Sequence, residues 1–116
     1  MSEDRRRFQR YALSNPLGAK VGAIAASITD ASEKGLGVVH EGKLPNVGNT
    51  CRIIMNSAMG PITVDCQVMH TRQRSATKDG FMSGLRVIAA DFQSEKRFRE
   101  LLRSLMGNRT NGEVVR

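Results

Sequence analysis

The sequence predicts a mainly β domain, a small antiparallel barrel or sandwich finished by one C-terminal helix. Hydrophobic alternation of period two recurs through the middle of the chain, and turns bearing glycine and proline separate the alternating stretches. Near the end the period changes from two to that of a helix. With 116 residues, the chain suits one domain with a single modest core.

In chain order, 18–21 is the weakest strand candidate, and 23–28 and 37–40 are clearer ones. Cys51-Arg52-Ile53-Ile54-Met55 forms another, joined to 62–70 through a connection that ends in Gly60-Pro61. In 62–70, Ile62, Val64, Cys66 and Val68 share one face while Thr63, Asp65 and Gln67 share the other, the pattern of a half-buried strand. The last strand, 81–89, follows a polar connection carrying Arg72, Arg74 and Lys78. Phe98, Leu101, Leu102, Leu105 and Met106 then fall on one stripe of a helix over about 94–106. Asp91 or Ser94 caps its start, and Gly107 takes the left-handed position that ends it. The expected organisation is a flexible segment over 1–12, a folded domain over 13–107 and a disordered tail over 108–116.

Composition narrows the function classes. Hydrophobic content of 40% and charged content of 25% fit an ordered globular chain and exclude a disordered one. Four Phe, one Tyr and no Trp leave the core to aliphatic residues and Met. No apolar run reaches the roughly 20 residues of a membrane helix, and no apolar stretch follows the charged N-terminus as a secretory leader requires. Cys51 and Cys66 form no CxxC or His/Cys cluster and read as half-buried thiols in a reducing compartment. The expected location is the cytoplasm, without membrane insertion and without a metal.

The net charge of +7 is spread over several segments: residues 1–10 carry +4 and −2, residues 51–90 carry +5 and −2, and residues 91–116 carry +6 and −4. An anionic partner fits this distribution without being specified by it. Catalysis finds no footing. His40 and His70 sit within or at the ends of strand patterns, and no zinc-protease, nucleophile-elbow, phosphate-loop or dinucleotide motif is present. The chain is expected not to be an enzyme.

Two stretches stand apart. Arg5-Arg6-Arg7-Phe8-Gln9-Arg10 places four arginines in six residues. Asp30-Ala31-Ser32-Glu33-Lys34-Gly35 interrupts two strand patterns with residues that turn the chain, and by itself it reads as an ordinary Asx-type turn. Glycine at 35 suits either a positive φ or a close approach of backbone or ligand.

Together, in this order, the two stretches resemble the RxxxR and (D/N)xSxxG pair of the PilZ domain family. Ser83-Gly84-Leu85-Arg86-Val87 is also similar to that family's glycine-containing last strand. The resemblance covers nearly the whole chain and implies a six-stranded antiparallel PilZ-type β-barrel with a C-terminal α-helix. It further implies a receptor for the second messenger cyclic di-GMP, with Arg6 and Arg10 as the motif arginines and Asp30, Ser32 and Gly35 as the second motif. Arg5, just before the frame, is associated in the family with an intercalated ligand dimer. Arg7 falls between the motif arginines. Where members often carry a further arginine, Val68-Met69-His70 ends in histidine, so Arg7, His70 and Arg72 are secondary candidates. No resident cofactor is implied. Output is expected through an unidentified effector protein that reads the surface changed by the ligand. The alternatives are a basic nucleic-acid-binding barrel and a ligand-independent PilZ-like protein-interaction module.

Overall fold

The computed structural model describes residues 9–74 and 80–115. They form β1 (Tyr11–Val21), β2 (Ile24–Ala31), β3 (Gly35–Glu41), β4 (Thr50–Ser57), β5 (Gly60–Gln73), β6 (Gly80–Ala90) and α1 (Phe92–Val115). All strand pairs are antiparallel, and the sheet closes on itself in the order β1-β2-β3-β6-β5-β4. The barrel of the sandwich-or-barrel pair is therefore the one formed. Closure between β1 and β4 rests on three pairs, Ala19–Met55, Lys20–Ile54 and Val21–Ile53.

Alternation explains the interior. Ile28, Leu36, Val38, Ile53, Met55, Ile62, Val64, Cys66, Val68 and Leu85 all point inward and are buried. Each large aliphatic side chain so buried contributes about 1.5–3 kcal/mol. From α1, Phe98 joins this core, with Leu101, Leu102 and Leu105 packed against it.

Asp91, not Ser94, caps α1: its Oδ1 accepts the Ser94 N–H at 2.8 Å. Ser94 docks the helix instead, its Oγ accepting the Thr63 N–H of β5 at 2.9 Å. At its far end α1 departs from the sequence expectation, since the helix runs through Gly107 to Val115 where a stop and a disordered tail were expected. Positive φ occurs at Gly22, Gly42, Gly48 and Gly60 but not at Gly107. A glycine ends a helix by turning left-handed. One that keeps helical angles costs the helix only about 1 kcal/mol.

The start of β1 also departs. The chain enters the barrel at Tyr11, so residues 11 and 12 belong to a strand and not to a leading segment. The reason is an irregular pairing: Ala12 faces Asp30 and Leu17 faces Ile28, so residues 13–16 stand against Thr29 alone. That interruption, which contains Pro16, hides the alternation from a sequence reading. Pairing at Tyr11 and Ala12 anchors the end of the RxxxR motif beside β2.

Candidate functional site

Four of the residues singled out by sequence meet beside the β2–β3 turn, Arg10 and Asp30 part-exposed and Ser32 and Gly35 buried. Arg10 Nη1 forms an ion pair with Asp30 Oδ1, the two side chains remaining 52% and 33% exposed. Ser32 begins the turn into β3 and donates its backbone N–H to the Gly35 carbonyl at 2.8 Å. A Cβ at Gly35 would stand a tight 3.2 Å from the Leu85 carbonyl and in ordinary contact with Arg10 Nη2 at 3.4 Å and Ser32 Oγ at 3.6 Å. Close approach, not positive φ, is thus what calls for glycine at 35. Arg5, Arg6 and Arg7 lie outside the described residues.

The outward aim of Asp30 depends on a bulge. Ile28 pairs with Val38 and Asp30 with Gly37, leaving Thr29 as the extra residue. Ala26 and Ile28 point inward, so plain alternation would send Asp30 into the core. The bulge reverses the parity, burying Ala31 and turning Asp30 to the surface. A second bulge does the same on β5. Val68 pairs with Leu85 and His70 with Gly84, so Met69 is the extra residue and His70 faces outward.

The two re-aimed side chains border one cross-strand row, Asp30–Gly37–Gly84–His70. A Cβ at Gly37 would collide with the Asp30 carboxylate, and one at Gly84 would collide with the His70 ring. The two glycines form a floor that the Asp30 carboxylate and the His70 ring cover, on a row three strand spacings of about 4.8 Å across. With no Cβ beneath them, the carboxylate and the imidazole lie against the sheet and offer hydrogen-bonding groups that suit the edges of a planar heterocycle. His70 therefore stands on β5, at the other end of the row from Asp30, while Arg72 lies two residues further along β5, its Nη2 3.8 Å from Met82 Sδ.

A family model described as the PilZ domain matches residues 4–104. The chain belongs to the PilZ family. Solved structures with this fold include the PilZ domain of YcgR from Escherichia coli with cyclic di-GMP, at TM-score 0.72 and 19% identity over 94% of this chain and 97% of that one. Another is Escherichia coli YcgR in complex with cyclic di-GMP, at TM-score 0.71 and 20% identity, covering 97% of this chain and 51% of the other. A third is the inhibitor of motility MotI (DgrA) of Bacillus subtilis, at TM-score 0.70 and 17% identity, covering 92% and 52%. This PilZ chain spans about half the length of MotI and of that YcgR chain. Among curated protein sequences none matches.

Sequence reasoning missed several features of this PilZ barrel. Gly37 was read only as a strand residue, and the floor it makes with Gly84 appears only once the β3–β6 register is known. A glycine inside each of two strand patterns was the available signal. His40 belongs to no sequence motif, yet the fold brings Ser83 to it from 43 residues away. Its Nδ1–H donates to the Gly42 carbonyl at 2.9 Å, which leaves Nε2 to accept the Ser83 hydroxyl at 2.8 Å. Ser83 Oγ in turn lies 2.8 Å from Thr71 Oγ1. Both His40 and Ser83 are buried, so the chain of hydrogen bonds lies beneath the floor and ties β3, β6 and β5 together.

Cys51 and Cys66, both expected as half-buried thiols, are directly opposed across β4 and β5, with Cys51 half-buried and Cys66 fully buried. Burial, with Cys51 and Asp65 nearby, pushes the Cys66 thiol up to about 12. Among the described residues no group of His, Cys, Asp and Glu is placed to hold a metal, and no helix is long and apolar enough to cross a membrane. A cavity of about 470 Å³ lies between β6 and α1 and takes Glu33 and Lys34 from the motif turn as part of its wall.

Proposed function

We propose that this chain is a cyclic di-GMP receptor that acts by binding and not by catalysis. The observation that carries the reading is the convergence of Arg10, Asp30, Ser32 and Gly35 beside the Gly37–Gly84 floor. Guanine presents O6 and N7 acceptors on one edge, which a guanidinium fork engages bidentately. Its other edge carries N1–H and N2–H donors, for which the Asp30 carboxylate and the Ser32 hydroxyl are acceptors. The ligand's phosphates suit arginine for the same planar geometry and charge. YcgR has been solved with this ligand at 19% and 20% identity to the present chain, which supports the reading through the shared fold.

In this reading Arg6 joins Arg10 on the nucleotide, and Arg5 favours two intercalated ligand molecules over one. Binding draws the N-terminal arginines onto the barrel and changes the surface beside the motif turn. An effector protein reads that change, which makes the chain an adaptor in second-messenger signalling. Glu33 and Lys34 belong both to the turn and to the cleft against α1, so a shift of the turn reaches a second surface directly.

Isothermal titration of the purified chain with cyclic di-GMP tests the receptor reading. Saturable heat at tens of micromolar protein and ligand is expected, with two ligands per chain if Arg5 acts as proposed. No heat under those conditions overturns it.

A further inference from the structure

On the outer face next to the Asp30–His70 row runs a second row, Gly35–Arg86–Gln67, contributed by β3, β6 and β5. Leu85 is buried, so its neighbour Arg86 projects outward beside Gly35, the glycine that also borders Arg10 and Ser32. Arg86 is not adrift in solvent. Its Nη2 donates to Gln67 Oε1 at 3.1 Å, and Gln67 Nε2 donates to the Gly48 carbonyl at 3.0 Å. The second bond fixes which end of the amide faces Arg86.

Its partner differs from those of the acid-paired arginines. Among the described residues Arg10, Arg52, Arg99 and Arg103 are paired with carboxylates. Among the described residues Arg86 has a neutral amide partner and no carboxylate, and a guanidinium carries more N–H donors than the Gln67 bond uses. A guanidinium held in place by a neutral amide, beside a side-chain-free position of the candidate site, is arranged to receive an acceptor-rich group.

Resting on the receptor reading above, we infer that Arg86 is a ligand-contacting residue on the wall opposite Arg10, and that Gln67 is its positioning residue. The group it takes is either the O6/N7 edge of guanine or a phosphate of the cyclic dinucleotide, both of which match a guanidinium fork. Lysine, a point charge on a flexible stem, does not reproduce that fork.

The test is titration of the full chain and its variants with cyclic di-GMP, with thermal melting as the check on folding. Arg86→Ala is expected to weaken binding about five- to hundredfold and to leave the melting transition in place. Arg86→Lys recovers little of the loss, and Gln67→Ala loses less than Arg86→Ala. Should Arg86→Ala fold poorly, Arg86→Gln keeps the hydrocarbon stem and serves in its place. A loss that shrinks with added salt assigns the contact to phosphate, and one indifferent to salt assigns it to the guanine edge. Wild-type binding with Arg86→Ala within twofold of it overturns this inference alone. Absence of wild-type binding overturns the receptor reading and this inference with it.

Discussion

The Asp30 carboxylate lies across Gly37, its partner on β3, in the space that any side chain at 37 would need. The acceptor of the candidate site is therefore held over the floor by the absence of a Cβ on the neighbouring strand. Gly37→Ala is expected to push the carboxylate aside and weaken cyclic di-GMP binding about tenfold or more, which is about 1.4 kcal/mol. The added methyl faces the outside of the barrel, so the melting temperature should change little. Titration calorimetry and thermal melting on the same sample separate the two effects.

Arg10→Ala is expected to abolish measurable binding while leaving stability almost untouched. The Arg10–Asp30 pair is partly exposed on both sides, and such pairs contribute about 0.2–1 kcal/mol. A melting temperature that fell steeply in this variant would assign the arginine to the fold and not to the ligand.

Much of this arrangement was legible in the sequence, and the remainder was hidden for identifiable reasons. The alternation of Ile62 to Val68 and the stripe from Phe98 to Met106 declared a strand and a helix, because side-chain periodicity is set by backbone geometry alone. Arg10, Asp30, Ser32 and Gly35 were legible as a group only through their motif spacing. What placed them was less visible. The extra residues Thr29 and Met69 reverse the parity of their strands, and a bulge leaves no mark in a hydrophobic pattern that ends where the bulge begins. The start of β1 was lost for a similar reason, its alternation broken by residues 13–16. Gly37 and Gly84 became neighbours through β3–β6 pairing, a contact between strands distant in the chain.

Beneath the floor, Ser83→Ala leaves buried His40 Nε2 without its hydrogen-bond donor. A cost of about 1–3 kcal/mol is expected, seen as a melting temperature several degrees lower. Thr71→Ala should cost less, because the Thr71 position is exposed and water replaces the lost hydroxyl. Denaturant unfolding of the two variants side by side checks the order.

Asp91 makes acid stability partly a property of one helix cap. The Ser94 N–H it accepts holds its carboxyl below the ordinary carboxylate range. The folded state then binds that proton less readily than the unfolded state. The cap's contribution is complete above the unfolded value of about 3.9 and is lost as pH falls through the lower folded value. Asp91→Asn keeps a capping side chain and removes the titration. Below about pH 4 its melting temperature should fall less steeply than that of the wild type.

The two thiols should separate cleanly in reactivity. Cys66 is fully buried and its thiolate suppressed, whereas Cys51 is only half-buried. A thiol reagent at neutral pH is expected to label Cys51 slowly in the folded chain and Cys66 only on unfolding. Mass spectrometry of the labelled peptides reads out each site.

In the proposed complex cyclic di-GMP seats over the Asp30 and His70 side chains that cover the glycine floor, between Arg10 and Arg86. Backbone amide NMR during titration with the ligand tests it most directly. The account predicts saturable shifts at Arg10, Asp30, Ser32, Gly35, Gly37, Gly84 and Arg86. Shifts confined to the cleft between β6 and α1, around Phe98 and Leu102, or a spectrum unchanged at saturating ligand, would contradict it.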